Sequence, residues 1–84
     1  MKLEIITPEC VYFSGEVHLV SFPGASGRFE IMENHAPLIS LLKKGTLKYV
    51  IDDKNSQQMD VDGGFVELKN NQIVVCTELL NVAG

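Results

Sequence analysis

Thr46-Leu47-Lys48-Tyr49-Val50-Ile51-Asp52-Asp53-Lys54-Asn55-Ser56-Gln57-Gln58-Met59-Asp60-Val61-Asp62 is the stretch that decides the fold class. Leu47, Tyr49 and Ile51 alternate with Lys48, the two-residue period of a strand with one buried face. Asp52 to Ser56 is a polar turn, because short Asp and Asn side chains bond nearby backbone and tolerate tight dihedrals. Gln57 to Asp62 returns with Met59 and Val61 inward and Gln58, Asp60 and Asp62 outward. The stretch reads as an antiparallel hairpin.

The same grammar extends in both directions. Downstream, Gly63-Gly64 permits a tight bend or a close backbone approach, Phe65 to Lys69 is a strand, Asn70-Asn71 a tight turn, and Gln72 to Thr77 the last strong strand. Glu78 to Gly84 has room for the start of a short helix. Upstream, Leu3, Ile5 and Thr7 share one face of a strand, Pro8-Glu9 interrupts it, and Cys10 to Phe13 resumes before a turn at Ser14-Gly15. From Glu16 to Phe22, Val17 and Leu19 oppose Glu16 and His18. The phase then slips to Val20 and Phe22, which points to a bulge near Leu19 rather than to a strand covered on both faces.

Between these halves lies Phe22 to Gly45. Pro23-Gly24 and Ser26-Gly27 are turn dipeptides, Arg28 to Met32 a short strand, and Asn34-His35-Ala36-Pro37 a bent segment, since proline forces the residue before it into extended backbone. Leu38 to Leu42 is an apolar run closed by Lys43-Lys44-Gly45. Short strands with frequent turns and no helical periodicity predict an all-β protein. The architecture expected is a two-sheet antiparallel β-sandwich of short strands, one domain over residues 1–84. Ile6, Val50, Phe65, Val74 and Cys76 fall opposite the main inward set. They are either ordinary outer apolar residues or a face covered by a partner.

Composition removes several function classes. With 7 basic and 11 acidic residues the net charge is −4, which argues against unaided binding to nucleic acid or anionic membrane. No apolar run reaches the roughly 20 residues of a membrane span, and the N-terminus lacks a signal-peptide layout, so the chain reads as soluble and cytoplasmic. Cys10 and Cys76 form no paired motif and read as isolated thiols; no cluster has metal-ligand spacing.

Catalytic chemistry finds no foothold either. Asp52-Asp53 sits in a turn and Asp60/Asp62 on one strand face, neither in a pocket that would split carboxylate pKa values. The serines lack a Gly-x-Ser-x-Gly setting, and neither cysteine has a recognisable histidine partner. His18 reads as a surface residue. His35 either bonds its own loop backbone or touches a partner. Gly24-Ala25-Ser26-Gly27 looks like a phosphate-cradling loop but lacks the Lys-Ser/Thr and the following helix. Neither a catalytic residue nor a cofactor or metal site is expected.

Phe13-Ser14-Gly15, Pro23-Gly24 to Gly27, Ile31, His35-Ala36-Pro37-Leu38, Gly45-Thr46-Leu47 and Gly63-Gly64-Phe65-Val66-Glu67, with Asn71 and Ile73-Val74-Val75, occur in an order and spacing that resembles the epsilon subunit of F-type ATP synthases. The resemblance spans nearly the whole chain and implies that family's N-terminal β-sandwich. It further implies a non-catalytic central-stalk rotor subunit at the cytoplasmic face of the bacterial inner membrane. Its partners would be the gamma subunit and the c-ring, with no nucleic acid and no membrane insertion. It would couple proton or sodium flow to ATP synthesis. Carried onto matched positions, Gly27, Arg28, Phe29 and Glu30 would face the c-ring, and His35, Ala36, Pro37, Leu38 and Ser40 would lie towards gamma. Most bacterial relatives continue into a C-terminal helical hairpin. A chain ending at Gly84 is expected to be the short form, lacking that inhibitory arm and its nucleotide site. The competing expectation is a free-standing β-sandwich module binding a peptide or small anion at Gly24 to Gly27.

Overall fold

A computed structural model describes residues 1–80. Seven strands account for most of them: β1 (Lys2–Ile6), β2 (Val11–Glu16), β3 (Leu19–Gly24), β4 (Gly27–Met32), β5 (Leu38–Asp52), β6 (Asn55–Lys69) and β7 (Gln72–Cys76). Hydrogen bonds join them in the order β2-β1-β7-β6-β5-β3-β4. The central hairpin forms as its alternation requires. Asp52 Oδ1 accepts from the backbone N–H groups of Lys54 (2.8 Å) and Asn55 (3.0 Å) and from the Asn55 side chain (2.9 Å), closing the turn between β5 and β6.

Both strands of that hairpin are 15 residues long. Run straight at about 3.3 Å per residue they would each reach about 50 Å, yet the molecule measures 35 Å along its longest axis. They therefore bend, and the burial pattern shows where. In β5 the inward residues are Leu38, Ser40 and Leu42 in the first part, then Leu47, Tyr49 and Ile51; in β6 they are Met59 and Val61, then Val66 and Leu68. Each strand reverses phase once, at facing positions, because Leu42 pairs with Gly64 and Leu47 with Met59. Gly63 and Gly64 supply the reversal in β6 with φ of 82° and 119°, values open to glycine and strained for other residues. In β5 the surplus lies at Lys43–Leu47: between Ser21 and Gly24, β3 advances three positions while β5 advances six, from Lys48 to Leu42.

The hydrogen-bonded sheet thus folds over itself into two layers. One consists of β2, β1, β7 and the near halves of β6 and β5; the other contains the far halves of β6 and β5 with β3 and β4. Leu3, Ile5, Val66, Leu68, Ile73 and Val75 from the first meet Val20, Phe22, Ile31, Leu47, Tyr49 and Val61 from the second in a single buried cluster. This is the expected all-β sandwich, with two refinements. The layers share their two longest strands, and one pairing, β1 with β7, is parallel. Nearly the whole chain separates these two strands, so no tight turn dictates an antiparallel pairing.

Several local readings shift. Ser14-Gly15 lies inside β2, opposite Glu4 and Leu3; the chain instead turns at Val17-His18, so alternation restarts there. Pairing through Leu19 is regular on both sides, which removes the expected bulge. Pro23-Gly24 lies inside β3, and Pro23, which has no N–H, sits in the gap of the β3/β5 ladder. Leu79 bridges to Val61 as extended chain rather than starting a helix, and residues 81–84 of that expectation fall outside the described ones. The Asn70-Asn71 turn forms as read, with φ of 52° and 61°. The Met1 ammonium donates to the Val17 carbonyl at 3.3 Å and lies 3.3 Å from Glu16 Oε1 and 3.5 Å from Glu33 Oε2.

Candidate functional site

The residues expected at one contact lie on β4, an edge strand. Alternation fixes their directions: Arg28 and Glu30 point outward and are exposed, while Phe29 and Ile31 turn to the core. Phe29 stacks on Phe22 with centroids 5.3 Å apart and planes at 28°. Its ring also lies against Gly24, where an added Cβ would sit 2.8 Å from it and 2.5 Å from the Gly27 carbonyl oxygen. Gly27 itself is exposed with φ of 135°. Gly24 is therefore packed against Phe29 and the Gly27 carbonyl, while Ala25, Ser26 and Gly27 are exposed. The surface presented at this edge is Gly27, Arg28 and Glu30, with Met32 following at 57% exposure.

The second group lies on the crossing from β4 to β5. Asn34 takes a left-handed turn (φ 66°), and its N–H donates to Asn71 Oδ1 at 3.4 Å, tethering the crossing to the β6–β7 turn. His35 is exposed, with Nδ1 2.7 Å from the Ala36 carbonyl oxygen, and Ala36 and Pro37 are exposed beside it. Leu38 and Ser40 turn inward and are half-buried; the Ser40 hydroxyl donates to the Leu41 carbonyl at 3.2 Å. A shallow cleft of about 480 Å³ opens between Pro37–Ile39 and Glu67–Asn70. The two groups occupy separate places, one on the edge of the second layer and one where the chain enters the first.

Sequence reasoning missed Ile39 and Leu41. They stand between the named positions, point outward, and are 74% and 67% exposed. The two-residue alternation of 38–42 carries that signal: if Leu38, Ser40 and Leu42 face in, Ile39 and Leu41 face out.

Titration adds little chemistry. Asp52 is held below its ordinary value, first by the Asn55 side chain and then by the Lys54 N–H. Burial pushes the Tyr49 phenol up, with a smaller contribution from Tyr12. Both groups belong to the scaffold. Among the described residues no group of three or more His, Cys, Asp or Glu is placed to hold a metal ion, and no helix is long and apolar enough to cross a membrane.

The model of the ATP synthase delta/epsilon chain β-sandwich domain matches residues 1–80. The ATP synthase epsilon chain of Chlorobium limicola is 43% identical over 77 residues, covering 92% of this chain and 88% of that protein. The one from Chlorobaculum tepidum is 37% identical over 76 residues, covering 90% and 86%. The epsilon chain of Desulforamulus reducens is 46% identical over 77 residues, but the match takes in only 58% of that longer protein. Among solved structures, the fold is shared by a chain in the central stalk/c-ring structure of the Tetrahymena thermophila mitochondrial ATP synthase (TM-score 0.80, 16% identity, covering 92% of this chain and 62% of that one). A chain in the OSCP/F1/c-ring structure of the Euglena gracilis mitochondrial enzyme is similar at TM-score 0.83 and 17% identity, with 89% and 48% covered.

Proposed function

This chain belongs to the ATP synthase delta/epsilon chain β-sandwich family, and from that premise we propose that it is a non-catalytic central-stalk subunit of an F-type ATP synthase. In this role it joins gamma to the c-ring and couples ion flow to ATP synthesis from the cytoplasmic face of the membrane. The observation that carries the reading is the 43% identity to an epsilon chain across nine-tenths of both sequences. A coupling part needs a stiff body with separate contact surfaces and no reaction centre. Two layers sharing their longest strands suit the first need, and the separation of the β4 edge from the β4–β5 crossing suits the second. We assign Gly27, Arg28, Phe29 and Glu30 to the ring side, with Phe29 acting as the packed support of its exposed neighbours. His35, Ala36, Pro37, Leu38 and Ser40 belong to the gamma side.

Purified chain titrated against the gamma subunit of the same organism tests this. Wild type should bind stably, His35→Ala should weaken binding, and Arg28→Glu should leave it unchanged. A chain that leaves gamma unbound at micromolar concentration would overturn the assignment.

A further inference from the structure

Residues 33–37, the crossing from β4 to β5, are all exposed, and Leu38 is the first residue after β4 to turn inward. Apolar burial therefore does not hold the crossing in shape. Polar contacts do so instead. The His35 N–H donates to the Met32 carbonyl at 3.3 Å, and Glu33 Oε2 lies 3.5 Å from the Met1 ammonium. Between these two residues, the Asn34 N–H donates to Asn71 Oδ1 at 3.4 Å, across 37 positions of sequence. That contact joins the crossing to the turn between β6 and β7.

Asn71 can hold the crossing because its own backbone is fixed. Its carbonyl accepts from the Lys2 N–H at 3.2 Å, and the next residue, Gln72, pairs with Lys2 on β1 and with Lys69 on β6. The residue type at 71 is not the one the turn prefers. Asn70 and Asn71 form a two-residue turn with φ of 52° and 61°, and such turns favour glycine at the second place, where a side chain is strained. For the turn alone, glycine at 71 would serve better; the asparagine side chain finds its use outside the turn, on the Asn34 N–H. Asn34 is itself left-handed, at φ 66°, a conformation that costs a non-glycine residue energy and that the tether helps to hold.

We propose that Asn71 is a positioning residue for the gamma contact: its side-chain oxygen, by holding the Asn34 N–H, presets the path of His35, Ala36 and Pro37 before any partner arrives. The inference rests on the reading of that crossing as the gamma side. Its physical basis is preorganisation. A segment already in its bound shape loses less conformational freedom on docking than a free one, and the difference appears as affinity. Asn71 acts through Asn34 and is not itself one of the contact residues.

The test is a titration of purified gamma with wild type, Asn71→Gly and Asn71→Asp, alongside chemical denaturation and amide exchange of each free chain. Glycine removes the oxygen but suits the turn, so Asn71→Gly should be at least as stable as wild type. It should nevertheless exchange the Asn34 amide several-fold faster and bind gamma about three- to tenfold more weakly, the range expected for one hydrogen bond. Aspartate keeps an acceptor in the same place, so Asn71→Asp should restore slow exchange and bind within about twofold of wild type. A loss of stability in Asn71→Gly would make the residue a structural one and overturn the proposal. If wild type binds and Asn71→Gly stays within about twofold of it, the positioning role is overturned while the stalk assignment stands. Weaker binding without faster Asn34 exchange would make Asn71 a direct contact, which also overturns it. If wild type leaves gamma unbound, the stalk reading falls and this inference with it.

Discussion

The outer faces of the two layers differ in kind, though the same two strands run through both. On the second layer, Glu30, Ser21, Lys48 and Gln58 form a polar row across four strands, with Thr46 donating to Asp60 at 2.8 Å beside it. On the first layer the matching positions are Leu41, Phe65, Cys76, Ile6 and Val11. The second layer has an apolar row of its own beside the polar one, Met32, Leu19 and Val50, but it spans three strands where the first layer's spans five, so the first layer departs further from what a sheet face turned to water needs. The phase reversal makes this division possible: it lets one strand send Leu41 outward and Leu47 inward.

Breaking the reversal should have the largest effect. At Gly64 an added Cβ would collide with the Cys76 carbonyl oxygen, and φ is 119°. We expect Gly64→Ala to cost upwards of about 3 kcal/mol in chemical denaturation, combining backbone strain with overpacking. Gly63→Ala should cost less, about 1–2 kcal/mol, because its nearest contact, Leu42 O at 3.4 Å, leaves room for the methyl and only the φ of 82° is strained. Equal losses at the two glycines would refute the assignment of the tight approach to Gly64.

The inside–outside contrast is sharpened by one residue type at two places. Leu47→Ala, in the core, should destabilise by about 2–5 kcal/mol. Leu41→Ala, on the open face, should stay within about 0.5 kcal/mol in the isolated chain. A large loss at Leu41 would mean that the face is already engaged within the free protein.

The smallest effects are electrostatic. The folded Asp52 carboxyl titrates below its unfolded counterpart, so its contribution is present above the unfolded value and lost as pH falls through the folded one. The stability gap between wild type and Asp52→Ala should therefore close on acidification below about pH 4. Tyr49 shifts the other way: its phenol stays neutral in the fold, so stability falls as pH rises past about 10, where the unfolded phenol ionises. Tyr49→Phe should flatten that alkaline limb, and an unchanged limb would place its origin elsewhere.

Much of the fold was legible because its signals are local. The 52–55 turn, the Asn70-Asn71 turn and the alternation of 46–51 and 57–62 need only neighbouring residues. What was lost depends on distant partners. Lys43-Lys44-Gly45 and Gly63-Gly64 looked like strand ends, and only the pairing of Leu42 with Gly64, Lys44 with Asp62 and Gly45 with Val61 reveals that two strands continue through them. The parallel pairing of β1 with β7 leaves no mark in either segment. For the candidate surfaces, alternation within β4 already turns Phe29 inward and Arg28 outward. The apolar row was half visible, in Ile6, Phe65 and Cys76. Val50, grouped with them by sequence, stands in the other layer, opposite Leu19, because membership of a row is a matter of register.

The shared strands also bear on how the protein comes apart. Each layer of an ordinary sandwich can loosen while the other holds; here, melting the ladder on one side pulls on backbone that is also the centre of the other. Unfolding should be a single cooperative event, with amide protons of Leu47 and Val66 exchanging at one common slow rate although they lie in different layers. Assembly should be ordered as well. The 52–55 turn brings β5 and β6 together early, whereas joining β1 to β7 closes a loop of some seventy residues and comes last.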